Sequence, residues 1–210
     1  MYKRMNEQLQ KEGAMALVTG ASSGIGLAYA RELARRGYDL LLVSNEQERI
    51  GTVAEELAAA FGVKTIPLCM DLARSGAARE LYDYCEREKL QIGILVNNAG
   101  IFFFDDLTEV APERIETMLL LHIRTVTLLC RYFGAAMKRR RAGYILNMSS
   151  LSAWTPAPGI SVYAASKSYI RKFSQMLRYE LHQYGVGVTT VCPGAIATGL
   201  YNLSDYYQRL

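Results

Sequence analysis

The stretch AMALVTGASSGIG, residues 14–26, decides the fold. Its apolar first part, residues 14–18, predicts a buried strand, and residues 27–36 continue with a helical pattern. The glycines at positions 20, 24 and 26 permit positive φ and let backbone N–H groups approach a pyrophosphate, which the dipole at a helix N-terminus favours. A glycine-rich stretch alone can be a mere turn, but its position between a strand and a helix predicts a dinucleotide-binding site.

Short apolar runs alternate with helical patterns along the chain. Unbroken apolar runs are typical of parallel strands covered on both faces, and the segments between them are long enough for crossover helices. The sequence therefore predicts one α/β domain, a doubly wound parallel sheet (Rossmann fold), with a cofactor across the carboxyl ends of its strands. The domain spans residues 14–210, after a polar N-terminal extension of residues 1–13. The predicted strands are residues 14–18, 40–43, 64–68, 92–96, 144–147 and 186–191.

A second motif, YAASK at residues 163–167, carries the chemistry. A phenol titrates near pH ~10, so it must become more acidic before it exchanges a proton with a carbonyl or alcohol near neutrality. On a helix, the Lys167 ammonium shares a face with Tyr163 and can lower the pKa of the phenol. Ser150 can donate a hydrogen bond to the substrate oxygen. An ordinary amphipathic helix also places tyrosine and lysine in this spacing, but it does not explain Ser150 or the glycine turn.

Five motifs occur in one order along the chain: T-G-x-x-x-G-I-G, N-N-A-G at residues 97–100, Ser150, Y-x-x-x-K, and P-G at 193–194 with Thr198. In these motifs, over residues 14–198, the chain resembles a short-chain dehydrogenase/reductase. The resemblance implies an NAD(P)-dependent oxidoreductase that transfers a hydride between nicotinamide and a carbonyl or alcohol. It assigns substrate orientation to Ser150 and general acid/base catalysis to Tyr163. Lys167 would bind the nicotinamide ribose and tune the tyrosine.

The same resemblance implies a set of cofactor-binding residues. Asp71 would touch the adenine, and Ile196 and Thr198 would hold the nicotinamide end. The full set is Gly20, Ser22, Ser23, Gly24, Ile25, Gly26, Ser44, Asn45, Asp71, Leu72, Asn98, Ala99, Gly100, Tyr163, Lys167, Pro193, Gly194, Ile196 and Thr198.

The end of the second strand, VSNE at residues 43–46, bears on the choice between NAD and NADP. An acid there would bind the ribose hydroxyls of NAD, and a base would accept the 2′-phosphate of NADP. Ser44 stands where the acid is expected and Asn45 where an arginine is frequent. Because no acid at 44 repels the phosphate, the sequence slightly favours NADP, while Glu46 keeps NAD open.

His122 marks a departure from the family pattern. Relatives usually carry an asparagine in the middle of the long helix before the serine strand, where it holds a water that links the lysine to solvent. Residues 119–122 here read LLLH. An imidazole can donate, accept and titrate near neutrality, so His122 either takes over this relay as a catalytic residue or leaves it impaired. The alternative is a core histidine, because it lies on the apolar stripe of the helix.

The substrate is indicated only in outline. IFFF at residues 101–104 follows the N-N-A-G turn, where relatives often line the mouth of the pocket. A small hydrophobic carbonyl or alcohol is therefore expected, such as a 3-oxoacyl thioester, a steroid-like ketone, a long-chain keto-lipid or a hydroxy amino acid, although these aromatic residues can also be ordinary packing. Relatives continue further past residues 193–194, so the substrate-loop region is expected to be incomplete, with Tyr201, Tyr206 and Tyr207 as candidates to cover a substrate or to lie exposed.

Composition excludes other classes. A net charge of +4, spread along the chain, does not suggest nucleic acid, and the basic run 138–141 is expected to cap a helix. The four cysteines, at 69, 85, 130 and 192, form no C-x-x-C pair, which favours a reducing, cytoplasmic setting and no metal site. No segment reads as a signal peptide or a membrane span.

Two other functions remain as alternatives. One is a nucleotide-binding protein of the same fold with weak or no catalysis, suggested by His122 and the short C-terminus. The other is a sugar-nucleotide epimerase or dehydratase, which also carries Y-x-x-x-K but usually shows G-x-x-G-x-x-G. By resemblance, a homodimer or homotetramer is expected, formed through the predicted helices at 112–140 and 161–184.

Overall fold

Each predicted apolar run forms a strand of one parallel sheet in the computed structural model, which describes residues 13–155 and 157–196. The strands are β1 Met15–Thr19, β2 Leu40–Ser44, β3 Thr65–Cys69, β4 Ile92–Asn97, β5 Gly143–Met148 and β6 Val186–Val191. In the sheet they lie in the order β3-β2-β1-β4-β5-β6, so the predicted Rossmann fold is confirmed. From β1 the chain adds β2 and β3 on one side, and then crosses back to add β4, β5 and β6 on the other side. Where the strand order reverses in this way, a crevice opens at the carboxyl ends of the strands.

Helices cover both faces of the sheet. The predicted long helix over residues 112–140 is divided by a π-helical stretch, Leu120–Thr125. Short 3₁₀ turns lie at Leu107–Glu109 and Leu151–Ala153. No helix within the described residues is long and apolar enough to cross a membrane. The α-helices are α1 Gly24–Arg35, α2 Gln47–Phe61, α3 Ala77–Arg87, α4 Pro112–Leu119, α5 Val126–Arg140 and α6 Ser161–His182.

The alternation of side chains along each strand explains why the strands read as continuous apolar runs. In β1, Leu17 packs into one core with α3, α5 and α6, whereas Ala16 and Val18 pack into a second core with α1 and α2. Both sets are fully buried. Pro67 lies in β3, which is an edge strand, where a missing backbone donor costs no ladder hydrogen bond.

The end of α5 agrees with the expected role of the basic run. Lys138, Arg139 and Arg140 lie in its last turn, where cations favour the negative end of the helix dipole. Arg141 then ends the helix in the left-handed conformation, with φ of 56°.

Gly26 sets the distance between α1 and the turn that precedes it. A Cβ at this position would lie 2.0 Å from the carbonyl oxygen of Gly20 and 2.5 Å from Nδ2 of Asn98. Both are held in place by the sheet and cannot move aside cheaply. Only glycine therefore allows the helix to start this close to the end of β1.

We expect Gly26→Ala to lower the free energy of unfolding by about 3 kcal/mol, because overpacking against backbone forces α1 away from the sheet. Urea denaturation measures the loss. Gly51→Ala is the matched control, since Gly51 lies in α2 and a Cβ there meets nothing within 4 Å. That control should be neutral or stabilising by about 0.5 kcal/mol. Equal stability of the two variants would contradict the close packing of Gly26.

Candidate active site

A cleft of about 350 Å³ runs along the carboxyl ends of the strands. It brings together most of the residues that the sequence assigned to cofactor binding. Gly26, Ser150 and His122 are not among its lining residues. Thr198 and the three C-terminal tyrosines lie outside the described residues. The assigned residues that line the cleft are Gly20, Ser22, Ser23, Gly24, Ile25, Ser44, Asn45, Asp71, Leu72, Asn98, Ala99, Gly100, Tyr163, Lys167, Pro193, Gly194 and Ile196.

Hydrogen bonds join the glycine turn to the loop that follows β4. The Thr19 hydroxyl accepts from the backbone N–H groups of Asn98 and Ala99, both at 3.0 Å. In return, Nδ2 of Asn98 donates to the carbonyl oxygens of Thr19 and Gly20, at 3.0 and 3.1 Å. Gly20, at φ +64°, has no room for a Cβ, which would lie 2.9 Å from Cα of Ala99. This floor of bare backbone fits the close approach that a dinucleotide pyrophosphate requires.

A closed ring of hydrogen bonds lies at the end of β2. The Ser22 hydroxyl donates to Oε2 of Glu46 at 2.5 Å, the Ser44 hydroxyl donates to Ser22 at 2.9 Å, and the Glu46 N–H donates to Ser44 at 3.2 Å. Arg49 adds a loose ion pair, with 3.8 Å between its Nη1 and Oε1 of Glu46. Glu46 and Arg49 therefore place one negative and one positive charge where the cleft would hold an adenosine ribose.

Tyr163 and Lys167 lie one turn apart on α6, at the other end of the cleft, and both are buried. The Lys167 Nζ donates to the carbonyl oxygen of Met148 at 3.1 Å and lies 5.5 Å from the centroid of the Tyr163 ring. The Ser149 hydroxyl fixes the same turn by donating to the carbonyl oxygen of Lys167 at 2.7 Å. Burial lowers the pKa of Lys167 to about 8. The amine of Lys167 therefore stays mainly protonated at neutral pH. The role expected for it beside Tyr163 requires this positive charge.

Ser150 follows β5 directly and is buried. It is the N-cap of the 3₁₀ turn Leu151–Ala153, and its Oγ accepts from the N–H of Ser152 at 3.1 Å. Its own proton goes to Oγ of Ser152 at 3.2 Å. That hydrogen bond is long, so it leaves the hydroxyl able to turn to a better acceptor.

His122 is fully buried, as the core-histidine alternative expected. Its Nε2 accepts from the N–H of Ile101 at 3.0 Å, so Nδ1 carries the proton of the neutral ring and donates to Oγ of Ser166 at 2.9 Å. Burial, and then the nearby charge of Lys167, hold the pKa of His122 well below its usual range. Both ring nitrogens are engaged within the protein, and neither is offered to the cleft.

The aromatic residues after the N-N-A-G turn divide into two groups. The Phe102 ring meets the Tyr163 ring edge-on, with 5.0 Å between centroids. Phe103 is buried under Arg114, whose guanidinium lies 5.0 Å from the ring centroid. The Phe104 ring lies against Gly159. Phe103 and Phe104 are thus ordinary packing, and Phe102 belongs to an apolar wall beside Tyr163.

The lining residues that sequence reasoning did not assign to the site include Val43, Leu121, Arg49, Met70, Met148 and Ser149. For the last three a signal was available, because they lie at or just past the carboxyl ends of β3 and β5, and such positions line the crevice of an open α/β sheet. Arg49 lies in the first turn of α2, and only the fold brings it over the end of β2.

Comparison with known proteins places the chain in one family. A family model described as "short chain dehydrogenase" matches residues 14–205. The chain is 37% identical over 199 residues to the very-long-chain 3-oxoacyl-CoA reductase of Anas platyrhynchos, covering 91% of this chain and 62% of that relative. It is 32% identical over 206 residues to the inactive hydroxysteroid dehydrogenase-like protein 1 of Homo sapiens, covering 96% and 61%. The chain spans about 60% of the length of the curated relatives it matches.

Solved structures give the same result at the level of the backbone. A short-chain dehydrogenase from Sphingobium yanoikuyae, in complex with NADPH, superposes with a TM-score of 0.86 at 34% identity. The match covers 91% of this chain and 75% of that one. A metagenomic short-chain oxidoreductase in complex with NADP superposes with a TM-score of 0.82 at 32% identity, covering 88% and 83%.

Proposed function

The chain belongs to the short-chain dehydrogenase family, and we propose that it is an NAD(P)-dependent oxidoreductase acting on a carbonyl or alcohol substrate. One observation carries the proposal. A single cleft holds the glycine turn and, further along, a buried tyrosine beside a buried lysine. The first suits a dinucleotide, and the second suits proton exchange with a substrate oxygen.

The cofactor-binding residues proposed from the sequence fit a nicotinamide dinucleotide, because Gly20 and Gly26 carry no side chain that would block its pyrophosphate. When bound, the nicotinamide supplies or takes up a hydride. Lys167 would hold the adjoining ribose. Residues 98–100 and 193–194 would line the path between the two ends of the cleft.

The chain's own residues handle the proton. In reduction, the Tyr163 hydroxyl donates its proton to the substrate oxygen, and in oxidation the phenolate takes it back. The Lys167 ammonium, 5.5 Å from the ring centroid, favours the charged phenolate and so makes the phenol a stronger acid. Ser150 redirects its hydroxyl from Ser152 to the substrate oxygen and holds it against Tyr163.

For the cofactor, we propose NADP(H) over NAD(H). The solved relatives described above hold NADPH and NADP, and Arg49 offers a cation at the end of β2. Ser22 is a second donor in reach of this region once it is released from Glu46. Comparing the two dissociation constants tests the choice, and NADH binding at least about tenfold tighter than NADPH would contradict it.

We expect Glu46→Gln to tighten NADPH binding about fivefold and to change NADH binding much less, because the carboxylate competes with a 2′-phosphate for Ser22 and repels it. Fluorescence titration of each cofactor measures the effect. Glu48→Gln is the control, since it removes the same charge from an exposed position of α2 outside the lining of the cleft. If both variants bind NADPH equally tightly, Glu46 does not discriminate between NADPH and NADH.

For the substrate, we propose a hydrophobic carbonyl compound. The ring of Phe102 lies edge-on against Tyr163 and gives the tyrosine an apolar neighbour. A 3-oxoacyl thioester is a first candidate, since one relative is named a very-long-chain 3-oxoacyl-CoA reductase. Oxidation of NADPH with a panel of acyl-thioester, steroid, keto-lipid and amino-ketone substrates tests the proposal. Turnover confined to polar ketones would contradict it.

The second candidate is a nucleotide-binding protein with little catalysis. The name of the human relative, an inactive hydroxysteroid dehydrogenase-like protein, favours it. The buried Tyr163–Lys167 pair favours the enzyme, because a lysine whose pKa is lowered by burial and that lies beside a tyrosine is typical of catalytic sites. Cofactor binding without turnover of any ketone in the panel would support the second candidate.

For assembly and location, we propose a homodimer or homotetramer in the cytoplasm. The exposed side of α6 carries Tyr169, Met176 and Tyr179, the last 77% exposed, which a partner subunit could cover. All four cysteines are free thiols, which suits a reducing compartment. A monomer mass in light scattering would contradict the first proposal, and the location of the endogenous protein in cell fractions tests the second.

A further inference from the structure

His122 lies at the junction of three parts of the active site. It belongs to the π-helical stretch Leu120–Thr125, where the widened turn departs from the α-helix on either side. Its Nε2 accepts from the N–H of Ile101, which directly follows the cleft-lining residues 98–100. Its Nδ1 reaches α6 through Ser166.

The hydrogen bonds of this junction run in one direction. Ile101 N–H donates to Nε2, Nδ1–H donates to Oγ of Ser166, and the Ser166 hydroxyl donates to the carbonyl oxygen of Tyr163 at 2.7 Å. A backbone N–H can only donate, so the bond from Ile101 requires a bare Nε2 and places the proton of the neutral ring on Nδ1. Nδ1 must then donate to Ser166, whose own proton goes to Tyr163. Ser166 is fully buried, as His122 is, so no solvent competes for these groups.

The imidazole of His122 lies close to the positive charge of Lys167. A Cβ built on Gly100 would lie 3.0 Å from Nε2 of His122 and 3.7 Å from Nζ of Lys167, so the ring, the loop and the ammonium adjoin one another. The Tyr163 ring approaches His122 edge-on, with 5.9 Å between ring centroids. Tyr163 and Lys167, both on α6, are the titratable groups of the described residues that face it.

We propose that His122 is a positioning residue whose neutral imidazole ties the loop at residues 98–101 to the turn of α6 that carries Tyr163 and Lys167. It acts through these two residues and touches neither substrate nor cofactor. Because both of its nitrogens are used within the protein, it holds the site together and does not pass protons. Its effect on turnover rests on the proposed function, whereas its tautomer does not.

The tautomer is tested without any turnover. The chain has two histidines, so His182→Gln leaves His122 as the single imidazole of the untagged protein. Long-range ¹⁵N–¹H spectra should show a proton on Nδ1 and none on Nε2 throughout the range from about pH 6 to about pH 9. A proton on Nε2, or a titration within this range, would overturn the proposal, even if the protein proves not to be a reductase.

The positioning role is tested with graded variants. His122→Phe retains an aromatic ring of similar shape but leaves the N–H of Ile101 without an acceptor. We therefore expect kcat to fall about thirtyfold through misplacement of Tyr163. His122→Gln can accept and donate, so it should stay within about threefold of wild type, with unchanged apparent pKa values in the pH profile of kcat/KM. The positioning role would be overturned by equal losses of kcat in both variants or by full activity of His122→Phe. It would also be overturned by a shifted pH profile of kcat/KM in His122→Gln, which a proton relay requires.

A double-mutant cycle separates positioning from general packing. Ser166→Ala breaks the link between His122 and Tyr163 on the side of α6. If the imidazole acts through this link, the losses in kcat from His122→Phe and Ser166→Ala should be clearly less than multiplicative when combined. Multiplicative losses would show that the two residues act independently, and would overturn the link.

Discussion

Replacing Tyr163 by phenylalanine is expected to lower kcat about a thousandfold, with the dissociation constant of NADPH nearly unchanged. The Tyr163 hydroxyl transfers its proton to the substrate oxygen, whereas Ser150 only holds that oxygen by a hydrogen bond. General acid/base catalysis typically contributes 10²- to 10⁴-fold, that is about a thousandfold here. The phenyl ring keeps the edge-on contacts with Phe102 and His122, so the cleft should keep its shape. Steady-state kinetics and a fluorescence titration measure the two quantities.

Tyr169→Phe is the matched control for this result. Tyr169 lies on the same helix, its ring stacks on Phe173, and its hydroxyl bonds to Thr127 outside the cleft. Its kcat should stay within about twofold of wild type. Similar activity of the two variants would remove Tyr163 from the chemistry.

Replacing Lys167 by methionine is expected to lower kcat/KM about a thousandfold and, at the same time, to stabilise the protein. The activity falls because the ammonium no longer favours the phenolate of Tyr163, and because the cofactor ribose loses a ligand. The stability rises because burial penalises the charged form of Lys167, whose pKa falls from 10.5 in the unfolded chain to about 8 in the folded one.

The stability cost of burying the protonated Lys167 depends on pH. Between pH 8 and 10.5 the unfolded chain binds more protons at this lysine than the folded chain, so the stability of the wild type rises with pH across that window. Below pH 8 the full penalty is present. Lys167→Met should therefore gain about 2 kcal/mol at neutral pH, after the loss of the hydrogen bond to Met148, and the gain should shrink as the pH approaches 10.5.

Urea denaturation at several pH values measures this difference, and Lys172→Met is the control. Lys172 lies exposed on the same helix, so its replacement should change neither activity nor stability by more than about 0.5 kcal/mol. A Lys167→Met protein that is less stable than wild type at neutral pH would show that the buried ammonium is better compensated than its single carbonyl partner indicates.

The sequence predicted the sheet well because burial on both faces leaves an unmistakable mark on the strands. Leu17 and its neighbours in β1 must be apolar whichever way they point, so the run is continuous and its ends are clear. The glycine turn was predictable for a related reason, since Gly26 has no space for any side chain. Tyr163 and Lys167 share a helix face by spacing alone.

Other features of the site depend on contacts between segments that are distant in sequence. The π-helical stretch at Leu120–Thr125 changes the hydrogen-bond register without changing the apolar period, so no pattern marks it. The same holds for the tautomer of His122, which an N–H of the loop after β4 decides. The ring formed by Ser22, Ser44 and Glu46 likewise exists only because β1 and β2 are neighbours in the sheet.

We propose that this chain's cleft brings a nicotinamide and a carbonyl together for hydride transfer, with Tyr163 as the proton donor. The most direct measurement is mass spectrometry of the alcohol formed from a hydrophobic ketone with NADPH that carries deuterium at both C4 positions of the nicotinamide, for wild type and Tyr163→Phe. We expect wild type to place one deuterium on the carbinol carbon and Tyr163→Phe to form almost no product in the same time. An alcohol without deuterium, or equal yields from both proteins, would contradict the account.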